Sequence, residues 1–241
     1  MKNIYSLYRL RLMVVLKSAV LVIPTVSVFA FLGIMYSFPP VQVSGSFLIT
    51  AFFLFVLCAY IAMSIQGKEN DVHEEIMLFH SNSEFHYYIS RELVMYSISL
   101  VYAAFLIACP IIKYKINSII FSRPLTRSDV FFGGLIVIGS GFCGIALGDL
   151  FHRRIFTTRR NGIIGLVLIS ILAVCKYPLI KEFSPLKIIG VFVPPIMDGF
   201  KMVGDADIFD RSGSLQIFIH MTIYVIAVIL IKIRILKYKK F

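Results

Sequence analysis

The chain lacks charge over a long stretch near its start. No Asp, Glu, Lys or Arg occurs from Ser18 to Gly67, a run of 50 residues in a chain of 241. This run is too long for one core helix of a soluble domain, whereas a single bilayer crossing takes about 20 apolar residues. Pro39 and Pro40 lie near its middle, where a turn between two crossings would fall. The absence of charge therefore argues against an ordinary soluble domain and predicts a membrane hairpin.

Charged residues are scarce along the whole chain. They make up 15% of it, against about 25% in soluble domains, while the mean hydropathy is +0.87. The net charge of +11 is not arranged as a basic stretch interleaved with aromatic residues, which argues against a nucleic-acid partner. We therefore expect the positive charge to lie at the surfaces of a lipid bilayer.

Motifs for redox and nucleotide chemistry are missing as well. None of the four cysteines belongs to a CxxC pair, and all are expected to be small buried apolar residues. The Gly67-Lys68 pair is not a P-loop, because that motif needs Gly at position 62 and Ser or Thr at position 69, which are Ala62 and Glu69. The chain is therefore expected to bind no cofactor and to be no enzyme.

The apolar segments predict a single all-α membrane domain, residues 1–241, with six transmembrane helices. Backbone groups in lipid must be satisfied within their own segment, and these segments lack strand alternation. Lys176, near the end of the fifth, is expected to snorkel to the surface. The six predicted spans are Leu16–Tyr36, Phe47–Ile65, Leu93–Ile112, Val130–Leu150, Gly162–Ile180 and Leu215–Ile231.

The distribution of basic residues predicts the orientation. Six spans place both termini on one side of the membrane, and that side holds 15 of the 24 Lys and Arg residues. Because basic residues concentrate in cytoplasmic loops, both termini are expected in the cytoplasm, in a multi-pass protein of the plasma membrane.

Two segments flank the spans without crossing. Residues 1–17 mix apolar side chains with Lys2, Arg9 and Arg11, which predicts an interfacial helix on the inner leaflet. Residues 177–214 are rich in proline, and the apolar stretch Pro185–Met197 within them is too short to cross, which predicts a re-entrant element on the outer side.

A short amphipathic helix is predicted between the second and third spans, at about residues 71–80. Asp71 and Glu74 have the spacing of a capping box, and Val72, Ile76 and Phe79 recur on one helical face. Two interpretations compete: a solvated inert loop, and a helix whose acidic end and Met77/Phe79 end face the cytosol to dock a partner. The docking residues would be Glu69, Asp71, His73, Glu74, Glu75, Met77 and Phe79.

This layout resembles the permease subunits of ABC-2 type ATP-binding-cassette transporters. The resemblance covers most of the chain and includes two local stretches, ENDVHEEIMLFHSNSEFHYYISREL (Glu69–Leu93) and GIALGDLFHRRIFTTRRNGIIG (Gly144–Gly165). The chain departs from the family at Ser81-Asn82-Ser83, where family members often carry proline in the turn after the short helix.

The resemblance implies a function and partners. Such a permease forms a homo- or heterodimer, and each copy docks a cytosolic ATPase that binds ATP and Mg. The helix at 71–80 would be the coupling helix that sits in a cleft of the ATPase. The transported substrate is expected to be amphipathic, such as an exported peptide or drug.

Two other classes of function compete with the transporter. His73-Glu74 begins a zinc-protease HExxH motif, but position 77 is Met77 instead of His. Glu74-Glu75 begins the EExxxR motif of CAAX-type intramembrane proteases, but position 79 is Phe79 instead of Arg. An intramembrane hydrolase and a non-catalytic sensor or assembly protein remain the alternatives.

Polar residues inside the spans are candidates for function, because they are costly in lipid. His220 is expected to face the bundle, as a hydrogen-bonded core residue or a polar group of the transport pathway. Asp149, at the inner end of the fourth span, is expected to pair with His152 or Arg153.

Small residues and an acidic loop complete the candidates. Ser140, Gly144 and Gly148 form a small-xxx-small stripe, which predicts close helix packing within the subunit. The cluster of Asp205, Asp207 and Asp210 lacks the ligands of a calcium loop and is expected to be solvated.

Overall fold

The protein is a bundle of α-helices in a computed structural model. The structure describes residues 2–67, 74, 77–78, 83–151, 155, 158–182, 193–203 and 207–238. Within these ranges the extended pairing consists of one bridge, between Val41 and Phe121. The helices are α1 Lys2–Lys17, α2 Val22–Met35, α3 Val43–Gln66, α4 Glu84–Ile116, α5 Arg127–Leu150, α6 Arg159–Glu182, α7 Phe200–Val203 and α8 Arg211–Tyr238. Single 3₁₀ turns occur at Ala19–Leu21, Ser118–Ile120 and Met197–Gly199.

Four helices of the described chain, α3, α4, α5 and α8, are long and apolar enough to cross a membrane by themselves. A fifth crossing results if α1 and α2, which meet at a bend of 63°, form one broken span. The prediction of an all-α membrane protein is confirmed at this level. Helix α6 covers the fifth predicted span, but the six-span arrangement itself stays a prediction.

The uncharged run folds into two helices joined by a turn, as predicted, although α2 has only 14 residues and reaches the length of a crossing only together with α1. Helix α2 ends at Met35 and α3 begins at Val43, so Pro39 and Pro40 lie in the connection. The start of the first span differs from the prediction, since the chain breaks at Ser18 instead of continuing as one helix from Leu16. The Ser18 hydroxyl accepts a hydrogen bond from the Val20 amide at 3.4 Å, which caps the 3₁₀ turn and starts a new direction.

Helices α3 and α5 form the centre of the bundle. Gly144 and Gly148 of α5 lie directly against the carbonyl groups of Phe55 and Ala59 on α3, so a side chain at either glycine would collide with backbone. Ser140, one turn earlier on α5, is fully buried. The small residues thus allow two helix backbones to approach more closely than larger side chains would permit.

One end of α3 is capped by a distant loop residue. The Asp207 carboxylate accepts hydrogen bonds from the amides of Val43 at 3.0 Å and Ser44 at 2.9 Å. Arg123 donates to the Asp207 carbonyl at 2.9 Å and pairs with Asp129 on α5 at 2.7 Å. The expectation of a solvated acidic loop is therefore wrong for Asp207, because the free amides at the start of α3 bind its carboxylate.

Part of the proline-rich segment packs against the bundle. Val193 and Ile196 are buried, and the chain then turns through Met197–Gly199 into α7. Residues 183–192, with most of the predicted re-entrant stretch, lie outside the described residues. Lys176 does not snorkel as predicted. It is 9% exposed and pairs with Asp198 at 3.2 Å. The carboxylate compensates for the hydration that the buried ammonium group loses.

Candidate functional site

Four ionisable side chains from three helices meet inside the bundle. They are Arg91 and Glu92 of α4, Asp149 of α5 and Lys232 of α8, and none is more than 3% exposed. Gln66, at the last turn of α3, completes the group. We call these five residues the ionic cluster.

Asp149 makes most of the contacts within the ionic cluster. Its Oδ1 accepts a hydrogen bond from Nη2 of Arg91 at 2.8 Å, and its Oδ2 contacts Nζ of Lys232. Gln66 Nε2 donates to the Asp149 carbonyl oxygen at 2.9 Å. Lys232 Nζ also contacts Oε1 of Glu92. One aspartate thus connects four helices.

The positions of these residues in the sequence explain how they meet. Arg91 and Glu92 directly precede the third predicted span, Lys232 directly follows the sixth, and Asp149 is the penultimate residue of the fourth. All four therefore lie at one depth of the bundle. Because α4 starts at Glu84, Arg91 and Glu92 are about two turns inside a helix instead of in a loop.

The charges of the ionic cluster balance, with two cations and two anions. Burying an ion is costly unless it is paired, and removing one partner of a buried pair typically costs about 3–5 kcal/mol. The cluster therefore holds α4, α5 and α8 in one relative position, and any other position of these helices must provide other partners.

Three further polar atoms are buried near the centre of the bundle. Glu92 Oε2, the Tyr96 hydroxyl and the Ser140 hydroxyl are shielded from solvent and have no hydrogen-bond partner among the described residues. Glu92 and Tyr96 are one turn apart on α4. Buried polar groups are normally paired, so these atoms could accept new partners if the helices shifted.

Met77 and Leu78, which lie in the segment 68–83 between α3 and α4, pack against a second apolar cluster beside the ionic cluster. This second apolar cluster consists of Tyr87 and Tyr88 of α4 with Ile233 and Leu236 of α8, and Met77 and Leu78 pack against it together with Ile155. Tyr88 and Ile233 are within one turn of Arg91 and Lys232 respectively. Met77 and Leu78 therefore pack on the same turns of α4 and α8 that carry the ionic cluster.

The predicted docking residues have different surroundings. Glu74 is 2% exposed, so the expectation that it is presented to a partner is wrong, and Met77 is half-buried. Packing on the second apolar cluster accounts for the position of Met77. Glu69, Asp71, His73, Glu75 and Phe79 lie outside the described residues.

His220 faces away from the chain's own core. Helix α8 turns Ile217, Met221, Val225 and Val228 inward, and His220 is exposed. The expectation of a bundle-facing histidine is therefore wrong, because the buried face of α8 follows the i, i+4 spacing of these apolar residues. Any role in a pathway would require the outer face of α8.

Sequence reasoning does not find the ionic cluster. Lys and Arg at the ends of spans, Arg91 and Lys232 among them, count as surface charges in the distribution that predicts the orientation. The predicted partners of Asp149, His152 and Arg153, lie outside the described residues. The signal in the sequence is Asp149, since ionisable residues within a membrane span usually pair with one another.

The geometry for a metal centre is absent from the part of the chain that the structure describes. No three His, Cys, Asp or Glu side chains among those residues could hold a metal ion. Comparison of the chain with protein-family models, with curated proteins and with solved structures finds no match.

Proposed function

We propose that the chain is the membrane-spanning permease subunit of an ABC-2 type transporter that exports an amphipathic substrate such as a peptide or drug. The observation that carries the proposal is the packing of Met77 and Leu78 against the second apolar cluster. This packing connects the segment that would dock an ATPase with α4 and α8, and both helices are long and apolar enough to cross a membrane.

The proposed mechanism runs from this segment to the ionic cluster. A displacement of the segment would push on Tyr88 of α4 and Ile233 of α8, each within one turn of a charged member of the ionic cluster. Because the charges must remain paired, α4 and α8 would move to a second arrangement instead of shifting gradually. Two alternative packings of one bundle are what alternating access requires.

The partners follow from the same proposal. A separate cytosolic ATPase binds ATP and Mg and contacts Glu69, Asp71, His73, Glu75 and Phe79, while Met77 and Leu78 pack on the bundle. A second permease subunit completes the transporter. The chain is a multi-pass protein of the plasma membrane, with both termini in the cytoplasm.

The experiment is purification of the tagged chain from its native membrane and reconstitution in vesicles, with ATP hydrolysis measured with and without vanadate. The unmodified chain is expected to carry vanadate-sensitive hydrolysis, and the double variant E75A/F79A is expected to lose it. The variant K115A, at an exposed position near the far end of α4, is the control and should retain it.

Two results would overturn the proposal. One is an unmodified chain that purifies without any nucleotide hydrolysis. The other is an E75A/F79A variant that retains as much hydrolysis as K115A. A proteolytic activity lost in H73A would instead favour the hydrolase.

A further inference from the structure

A cavity of about 300 Å³ lies between α1, the end of α3 and α4. Its inner wall is apolar and buried, with Val15 and Ile65 each 7% exposed and Met95 fully buried. Its rim consists of Leu10 and Val14 of α1, which are 48% and 60% exposed. The cavity is therefore reached from the exposed apolar side of α1, the side that lipid would cover. Its volume is at the lower end of the range typical of small-molecule sites.

Two buried guanidinium groups line this apolar cavity. Arg11 of α1 is 7% exposed and Arg91 of α4 is 2% exposed. The Arg11 guanidinium stacks on the Tyr87 ring at 4.1 Å, and Arg91 is oriented by its bond to Asp149. None of the described residues that line the cavity is acidic. Planar guanidinium groups suit phosphate oxygens, which they can bind with two parallel hydrogen bonds.

The helix that covers the cavity is strongly basic. Helix α1 carries Lys2, Arg9, Arg11 and Lys17 and no acidic residue. A basic amphipathic helix lies in the membrane interface, where it attracts lipids with anionic headgroups. The cavity thus joins an apolar volume, open at a lipid-covered rim, to cationic groups at headgroup level.

We infer that this cavity binds one anionic phospholipid, with part of an acyl chain on the apolar wall and the phosphate at Arg11 and Arg91. The lipid would be recognised by its charge and its tail together, since neither the apolar wall nor the two arginines would select it alone. Met77 also lines the cavity. The inference does not depend on the transporter function, because it uses the lining of the cavity and the charge of α1 and needs no ATPase.

The test is native mass spectrometry of the full chain in mild detergent, with phosphatidylglycerol or phosphatidylcholine of identical acyl chains. The unmodified chain is expected to retain one phosphatidylglycerol about tenfold more tightly than phosphatidylcholine. R11Q is expected to lose this preference. R9Q removes the same charge from an exposed position of the same helix and should keep it.

A second pair of variants tests the cavity itself and stays informative if R11Q does not fold. V14F fills the rim of the cavity, whereas V22F places the same side chain on α2, where it is 59% exposed in the unmodified chain and does not line the cavity. Only V14F should reduce retention of phosphatidylglycerol. Equal retention of both lipids, equal loss in R9Q and R11Q, or unchanged retention in V14F would each overturn the inference.

Discussion

Asp149 of α5 and Lys232 of α8, 83 residues apart in the sequence, form a buried ion pair in the centre of the bundle. Arg91 binds the other oxygen of the same carboxylate, and Glu92 shares the lysine. Removing one ion leaves its partners buried and unbalanced. The energy of the cluster therefore depends on all four charges, and single and paired substitutions should behave differently.

Replacing Lys232 by methionine is expected to lower the free energy of unfolding by about 3–5 kcal/mol, because Glu92 and Asp149 lose a shared cation. The double variant K232M/E92L removes one charge of each sign and should lose clearly less than K232M alone. Thermal unfolding in detergent measures both. K115M, at an exposed lysine, should change stability little, and a double variant at least as unstable as K232M would contradict the shared pairing.

Gly144 should tolerate no side chain, because its missing Cβ is where the Phe55 carbonyl of α3 lies. We expect G144A to separate α3 from α5 and to cost about 1–3 kcal/mol of folding free energy, the range for overpacking a core. Gly134 on the same helix is the control, since a Cβ there would meet Ile107 at an ordinary 3.5 Å. G134A should be neutral or slightly stabilising, and equal losses in the two variants would show that α3 and α5 are not in close contact at Gly144.

The cap on α3 should make stability depend on pH in acid. Burial acts to raise the pKa of Asp207, but hydrogen bonds from Ser44, Val43 and Ser122 outweigh it and hold this pKa below its usual value. The stabilisation is therefore present above the unfolded pKa of about 3.9 and is lost as the pH falls through the lower folded value.

The matching measurement compares the unmodified chain with D207N between pH 7 and pH 2. The difference in unfolding temperature isolates Asp207 from other carboxyl groups. It should be constant above about pH 5 and shrink below about pH 4. A difference that grows as the pH falls would have the wrong sign for a carboxylate that accepts these hydrogen bonds.

The sequence predicted the parts of the fold that depend on local composition. The uncharged run with Pro39 and Pro40 placed the first turn, because helices in lipid need long apolar segments. Local composition could not show which charged residues turn inward. Arg91 and Lys232 border apolar spans as surface charges do, and only the contact between α4, α5 and α8 buries them. His220 shows the reverse case, since the rotation of α8 leaves it exposed. Asp207 is paired because its loop folds back to the start of α3.

Under the proposed function, a cytosolic ATPase moves α4 and α8 through the segment that carries Met77 and Leu78. Spin labels at Ile112 of α4 and Ile219 of α8, both more than half exposed, report the distance between these helices in the vesicle-reconstituted complex. The account predicts that trapping with ATP and vanadate changes the distance between α4 and α8 in the complex with unmodified Met77 and Leu78. It also predicts no change in M77E/L78E, measured in preparations in which the ATPase still co-purifies with the chain. An unchanged distance in the unmodified complex, or the same change in the variant, would contradict the account.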